Sequence, residues 1–143
     1  MNLLDVFKEL NTEAKCLAFL EHMRWPDGVK CLACESQRIT RITAKGKLNK
    51  KTNRRSPDRE LYQCNECRKQ FTATDGTVYH DTHLPLSKWF LAIALITESK
   101  KGISANQLKR ALSVQYRTAW YLAHRIRKAM VEANPSKLGG LSR

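Results

Sequence analysis

The chain of 143 residues has no long apolar run: the longest, Trp89 to Ile96, spans eight residues, where a membrane-crossing helix needs roughly 18–20. No membrane partner is therefore expected. Acids are scarce as well, with 13 Asp plus Glu against 26 Lys plus Arg and a formal net charge of +13. That excess argues for a polyanionic partner, and nucleic acid is the commonest one. No secretion signal is evident, because Asp5 and Glu9 fall where its apolar region would lie. A cytoplasmic setting follows as the expectation, and in a reducing compartment the five cysteines should not form disulfides. There is no internal repeat beyond two Cys-x2-Cys pairs.

Those pairs carry the clearest chemistry. Cys31-x2-Cys34 and Cys64-x2-Cys67 each put two thiolates on one tight turn, and together they offer the four soft ligands that one tetrahedral Zn2+ takes. Twenty-nine residues separate the pairs, a separation tolerable because loop closure costs only about 0.6 kcal/mol per doubling of length. A competing pattern is a Cys2His2 finger built from Cys64, Cys67, His80 and His83. It fails on spacing. Only Asp81 and Thr82 lie between the histidines, Pro85 follows where a helix should continue, and Cys31 and Cys34 would have no task. Four thiolates leave no open position for water or substrate, so the zinc is expected to be structural. Cys16 lies on an apolar helical stripe and reads as a buried core thiol.

The fold class expected is α+β: a short N-terminal helix, a small β zinc ribbon on four cysteines, then a three-helix, helix-turn-helix bundle. Residues 1–28 would hold the first helix and a turn, with Thr12 as N-cap and Cys16, Leu17, Leu20 and Met23 as its apolar stripe. Residues 29–84 would be the ribbon. Its insert, residues 36–59, holds nine Lys/Arg and the single acid Asp58, which suits a mobile loop or a long hairpin arm. Asp75-Gly76 between QFTAT and TVYH signals a hairpin. Residues 85–134 would form the bundle, with Ser87 and Ser104 as helix caps, Trp89, Phe90, Ile93, Ala94 and Thr97 on one face of its first helix, and Leu108, Ala111 and Leu112 inward on its second. Residues 135–143 read as a tail.

In the last helix, Ala119, Leu122, Ala123, Ile126, Ala129 and Met130 recur at helical spacing. Gln115, Tyr116, Arg117 and Thr118 would form the first turn, the part that enters a major groove in a helix-turn-helix, with Tyr121, His124, Arg125 and Lys128 further along. A plain helical bundle with a solvated basic face would leave a similar pattern. Eight bases and no acid between Lys100 and Lys128 tilt the balance toward double-stranded DNA. Trp120, at the edge of the apolar stripe, reads as half-buried packing rather than a base-stacking group. In the basic insert, Lys45, Lys47, Lys50, Lys51, Arg54 and Arg55 could track phosphates or enter a minor groove, or be a solvated charge run.

Taken in order, LEHMRWPDGVKCLAC, YQCNECRKQFTATDGTVYHDTHLPLSKWFLAI and SANQLKRALSVQYRTAWYLAHRIRKAM resemble the N-terminal region of a bacterial insertion-sequence transposase family. The resemblance spans about residues 12–131. It implies a zinc ribbon on Cys31, Cys34, Cys64 and Cys67, a helix-turn-helix whose 115–128 helix lies in the groove, and binding to transposon terminal inverted repeats on the bacterial nucleoid. Family members continue into a DDE-type, RNase H-like nuclease domain, and its first carboxylate would fall beyond residue 131. Here the only acid after Glu98 is Glu132, so these residues alone are expected not to cut or join DNA. The alternatives are the DNA-binding part of an active transposase with its nuclease elsewhere, and an RNA-binding or protein-docking ribbon. A second copy of the chain or a catalytic subunit is the protein partner expected.

Overall fold

The structure, a computed structural model, describes Asp5, residues 8–56 and residues 58–132; the expected tail, 135–143, lies outside them. The chain divides into two compact units, residues 17–75 and residues 76–132 together with the segment up to Cys16. Among the described residues no helix is long and apolar enough to cross a membrane.

The 17–75 unit is built on an antiparallel sheet. Strand β1 (Ile39–Ala44) pairs with β4 (Arg59–Cys64), and β4 pairs with β5 (Gln70–Phe71). The basic insert is a hairpin arm: β1 and β4 run on into a second, two-stranded ladder of β2 (Leu48–Asn49) and β3 (Arg54–Arg55). Its tip is turned by Asn49, whose Oδ1 accepts the Lys51 N–H at 3.0 Å, and by Asn53 at φ 51°, a conformation that asparagine tolerates better than most residues. Asp58, the segment's single acid, accepts the Gly46 N–H at 2.8 Å. β4 alternates in burial toward its end, putting Tyr62 and Cys64 inward.

Helix α1 (Glu13–Arg24) spans the boundary between the units. In the ribbon unit its later turns meet the sheet through an aromatic cluster in which Trp25, Tyr62 and Phe71 have ring centroids 5.6–6.0 Å apart, spacing that favours edge and offset contact. Tyr62 donates its hydroxyl proton to the Glu21 carboxylate and accepts from Arg41 at 2.9 Å. Burial, followed by the bond to Glu21, pushes the phenol up to about 12, so it stays protonated and able to donate. Arg24 closes the unit by donating to the Ala73 carbonyl at 2.7 Å. Cys16 and Leu20 are buried as expected from the stripe, but Met23 is 66% exposed.

In the other unit, α2 (Leu86–Glu98), α3 (Ala105–Leu112) and α4 (Tyr116–Glu132) pack together. Three expectations change here. Asp75-Gly76 does not turn a hairpin: residues 77–80 are turn and bend, and the Asp75 carboxylate instead accepts the Thr72 N–H at 2.8 Å, closing a local turn at the end of the ribbon. Ser87 does not cap α2. The helix starts at Leu86 after Pro85, without a side-chain cap of its own, and the Leu86 N–H donates to Glu13 Oε2 at 2.8 Å. A carboxylate supplied by another helix does the work of an N-cap. Finally, α2 buries Leu86, Trp89 and Ala92, whereas Ala94 is only partly covered and Thr97 is exposed, its hydroxyl bonded back to the Ile93 and Ala94 carbonyls.

Helix α3 keeps its expected start, with Ser104 and Gln107 forming a reciprocal capping box. Leu108 and Leu112 are buried, but Ala111 faces outward. Ser113 ends the helix in the left-handed region, φ 51° and ψ 52°, and the Val114 N–H bonds the Lys109 carbonyl at 3.2 Å, a closure that glycine most often provides. Ala119, Leu122, Ala123 and Ile126 form the buried stripe of α4, while Ala129 is only partly covered and Met130 is exposed.

Candidate metal centre and nucleic-acid interface

The β1–β4 register places Ile39 opposite Cys64, so the two ends of the basic arm meet at the cysteines whatever the arm's length. Each Cys-x2-Cys turn has the same backbone. The Cys31 N–H bonds the Ser36 carbonyl at 3.0 Å, and the Cys64 N–H bonds the Lys69 carbonyl at 3.1 Å. In both, the residue after the second cysteine, Glu35 or Arg68, takes a positive φ of 58° or 56°. Cross-links hold the two turns in register: the Asn65 N–H reaches the Arg38 carbonyl at 2.9 Å, and the Thr40 hydroxyl reaches Asn65 Oδ1 at 3.0 Å.

The result is a cluster of four sulfurs, Cys31, Cys34, Cys64 and Cys67, all within 4.8 Å of one another. Cys31 Sγ lies 3.5 Å from Cys67 Sγ, and Cys34 Sγ 3.5 Å from Cys64 Sγ. A tetrahedral Zn2+ with Zn–S bonds of about 2.3 Å requires S···S separations of about 3.8 Å, so the cluster fits the ion. Its electrostatics fit too. Backbone N–H groups, first that of Ala33 and then that of Cys34, pull the Cys31 thiol down to about 6, and the Cys67 N–H foremost lowers Cys64. Cys34 receives an N–H from Ser36 that favours its thiolate, yet its sulfur neighbours, Cys64 first, and burial push it up to about 12. Four thiols this close cannot all ionise without a cation among them, and a divalent cation removes that conflict. His80 and His83 are not in the cluster. Cys16 is buried, its thiol donating to the Leu10 carbonyl at 3.3 Å. Burial, then the Glu13 carboxylate, raises its pKa, which suits an inert core thiol.

The residues expected to face nucleic acid occupy two places. Lys45, Lys47, Lys50, Lys51, Arg54 and Arg55 lie on the hairpin arm, where all six are exposed. Among the described residues, none of the six forms an ion pair, and Arg55 donates to the Gly46 carbonyl at 3.1 Å. Gln115, just before α4 and not in its first turn as expected, is exposed, as are Tyr116 and Arg117 at the helix start and Tyr121, His124 and Lys128 beyond them; Thr118 is half-buried. Arg125 is committed internally: it donates to the Tyr121 hydroxyl at 3.0 Å and to the His80 carbonyl at 2.8 Å. Trp120, expected to be half-buried, is so. It is 49% exposed on the outward face, with its ring centroid 4.1 Å from that of His124. The signal for this was its place between Arg117 and His124, three and four residues away on one face.

Residues 11–70 match a family described as a transposase zinc-ribbon domain. The chain is also similar to an uncharacterized protein in transposable element ISH50 of Halobacterium salinarum, 26% identical over 128 residues. That alignment covers 90% of this chain and 39% of the relative, so the chain spans about two fifths of that protein's length. No solved structure matches. With the sulfur cluster in place, residues 11–70 are a zinc ribbon of the kind found in the N-terminal region of insertion-sequence transposases, and its four cysteines hold one structural Zn2+.

Proposed function

We propose that this chain is a transposase-derived, zinc-dependent DNA-binding module that recognises transposon ends or related double-stranded DNA by sequence and does not itself catalyse strand transfer. On this reading α3, the turn at residues 113–115 and α4 act as a helix-turn-helix with α2 in support. Gln115, Tyr116, Arg117 and Thr118 reach base edges in the major groove, and Tyr121, His124, Arg125 and Lys128 line the groove behind them. The observation that carries this is the outward face of α4: a capped helix pair presents exposed Arg117, His124 and Lys128 in a stretch, Lys100 to Lys128, that has eight bases and no acid. The arm's Lys45, Lys47, Lys50, Lys51, Arg54 and Arg55 neutralise phosphates, and the ribbon braces the arm. The protein would work on nucleoid DNA in the bacterial cytoplasm, with a second copy of the chain or a catalytic subunit as its protein partner.

The test is a pair of substitutions on the zinc-loaded chain. Arg117→Ala should lower preference for the selected sequence by about 1–3 kcal/mol with little change on random duplex, whereas Lys50→Ala with Lys51→Ala should weaken all duplexes alike and flatten the log–log salt slope by about 2. Equal affinity of wild type and Arg117→Ala for selected and random DNA would end the base-reading claim. The 39% coverage of the ISH50 protein favours a second reading, in which the module is the binding part of a longer, active transposase. Cleavage of end-bearing DNA by the zinc-loaded chain with Mg2+ would show that these residues do more than bind.

A further inference from the structure

The outward side of α4 carries more aromatic surface than groove reading uses. Tyr116, Trp120 and Tyr121 are 48%, 49% and 54% exposed, although large aromatics are usually covered unless they meet a partner. Trp120 and Tyr121 stand between two adjoining hollows. One, of about 550 Å3, lies between α4 and residues 81–84 and is floored by Trp89 and Leu122, with Arg117 at its edge. The other, of about 620 Å3, continues past Trp120 and Tyr121 toward His124 and Lys128. Each is within the roughly 300–1,000 Å3 typical of ligand sites.

The walls are held ready. Arg125 bonds the Tyr121 hydroxyl and the His80 carbonyl together, and its guanidinium lies 5.9 Å from the Trp89 ring centroid and 5.8 Å from that of Tyr121. Trp89, 1% exposed, is fixed by donating its indole N–H to Thr82 Oγ1 at 2.9 Å. Tyr121 is therefore tied through Arg125 to the His80 carbonyl. Positive groups border both hollows, and Asp81 is the one acid that lines the first. Its carboxylate suits the exocyclic amino group of a base and turns the phosphates toward Arg117.

We propose that these hollows form a site for single-stranded DNA, with unpaired bases stacking on Trp120 and Tyr121 while Arg117 and Lys128 follow the backbone. Aromatic platforms inside a cationic groove are how proteins hold unpaired bases irrespective of sequence, and the chain's net charge of +13 complements such a ligand. The site goes beyond duplex reading but shares Arg117, Tyr121 and Lys128 with it. Trp120, which duplex reading does not use, is the residue that separates the two, because stacking needs an unpaired base and groove reading a paired one.

The experiment uses the full zinc-loaded chain and a short labelled oligodeoxynucleotide of mixed sequence, single-stranded and as a blunt duplex. Trp120→Ala should weaken single-strand binding by about 5- to 150-fold, change duplex affinity by less than about twofold, and diminish the quenching of 2-aminopurine placed in the single strand. Trp120→Phe, which keeps a ring, should restore most of both signals. Unchanged zinc content and helicity show that the variants fold. An equal loss on duplex and single strand, no loss on either, or 2-aminopurine quenching that Trp120→Ala leaves undiminished overturns the proposal, and an unaffected DNA affinity would assign the hollows to a protein segment instead.

Discussion

Glu13 holds the start of a helix 73 residues away in sequence, and removing it measures how far that contact stabilises the fold. Its Oε2 accepts the Leu86 N–H at 2.8 Å, at a helix end where Pro85 supplies no side-chain cap. Loss of an N-cap costs about 0.5–2 kcal/mol, and a negative charge near a helix N-terminus adds about 0.3–1 kcal/mol. Glu13 is exposed, so solvent screening places Glu13→Ala in the lower part of that range, about 1–1.5 kcal/mol. Glu13→Gln keeps an acceptor and should cost about half as much. Ser87→Ala, at the position whose side chain sequence alone would choose as the cap, should stay within about 0.5 kcal/mol of wild type. Thermal unfolding of the zinc-loaded chain, followed by circular dichroism, should show Tm falling by roughly 3–6 °C for Glu13→Ala, and by less as salt is raised. A Ser87→Ala loss equal to or larger than the Glu13→Ala loss would refute the assignment of the cap.

Three further outcomes follow from the same geometry. Cys64→Ala or Cys67→Ala should abolish stoichiometric zinc binding and unfold the ribbon unit, while Cys16→Ala should leave zinc content at one per chain; zinc measured by mass spectrometry of the native protein decides. Acid should release the metal. Cys31, held at about 6, and Cys64, also lowered, contribute stability present above the ordinary thiol pKa and lost as pH falls through the folded value; bound zinc pushes that loss lower still, so a chromogenic chelator should report release with a midpoint below about pH 6, and a midpoint above neutrality would contradict the site. Ser113→Gly should raise stability by about 0.5–1 kcal/mol, because Ser113 sits at φ 51° where a Cβ is disfavoured; a loss measured in urea would mean that the serine side chain matters more than its backbone strain.

The ribbon was legible in the sequence because its signal is local and chemical: two Cys-x2-Cys turns need only come together, and a hairpin between them does that at any length. The cap at Ser104 was legible for the same reason, since donor and acceptor lie three residues apart. What sequence reading misplaced depends on distant partners. Ser87 has cap chemistry, but Glu13 arrives from another helix. Asp75-Gly76 has hairpin chemistry, but the carboxylate is taken by the Thr72 N–H. Arg125 has a free cation's composition, yet the His80 carbonyl, 45 residues away, and Tyr121 hold it. Trp120 was legible as half-buried, but an apolar residue at a stripe's edge carries no mark of what its open side meets. Helical periodicity gives the width of a face but fixes its rotation only to within a residue or so.

The most direct measurement of the central claim is selection of bound duplexes from a random DNA pool by the zinc-loaded chain, repeated after chelation. A single enriched motif that Arg117→Ala loses, together with loss of binding on chelation, is the result expected of a zinc-braced, sequence-reading module. A pool that stays random, with binding that zinc removal leaves intact, would contradict it.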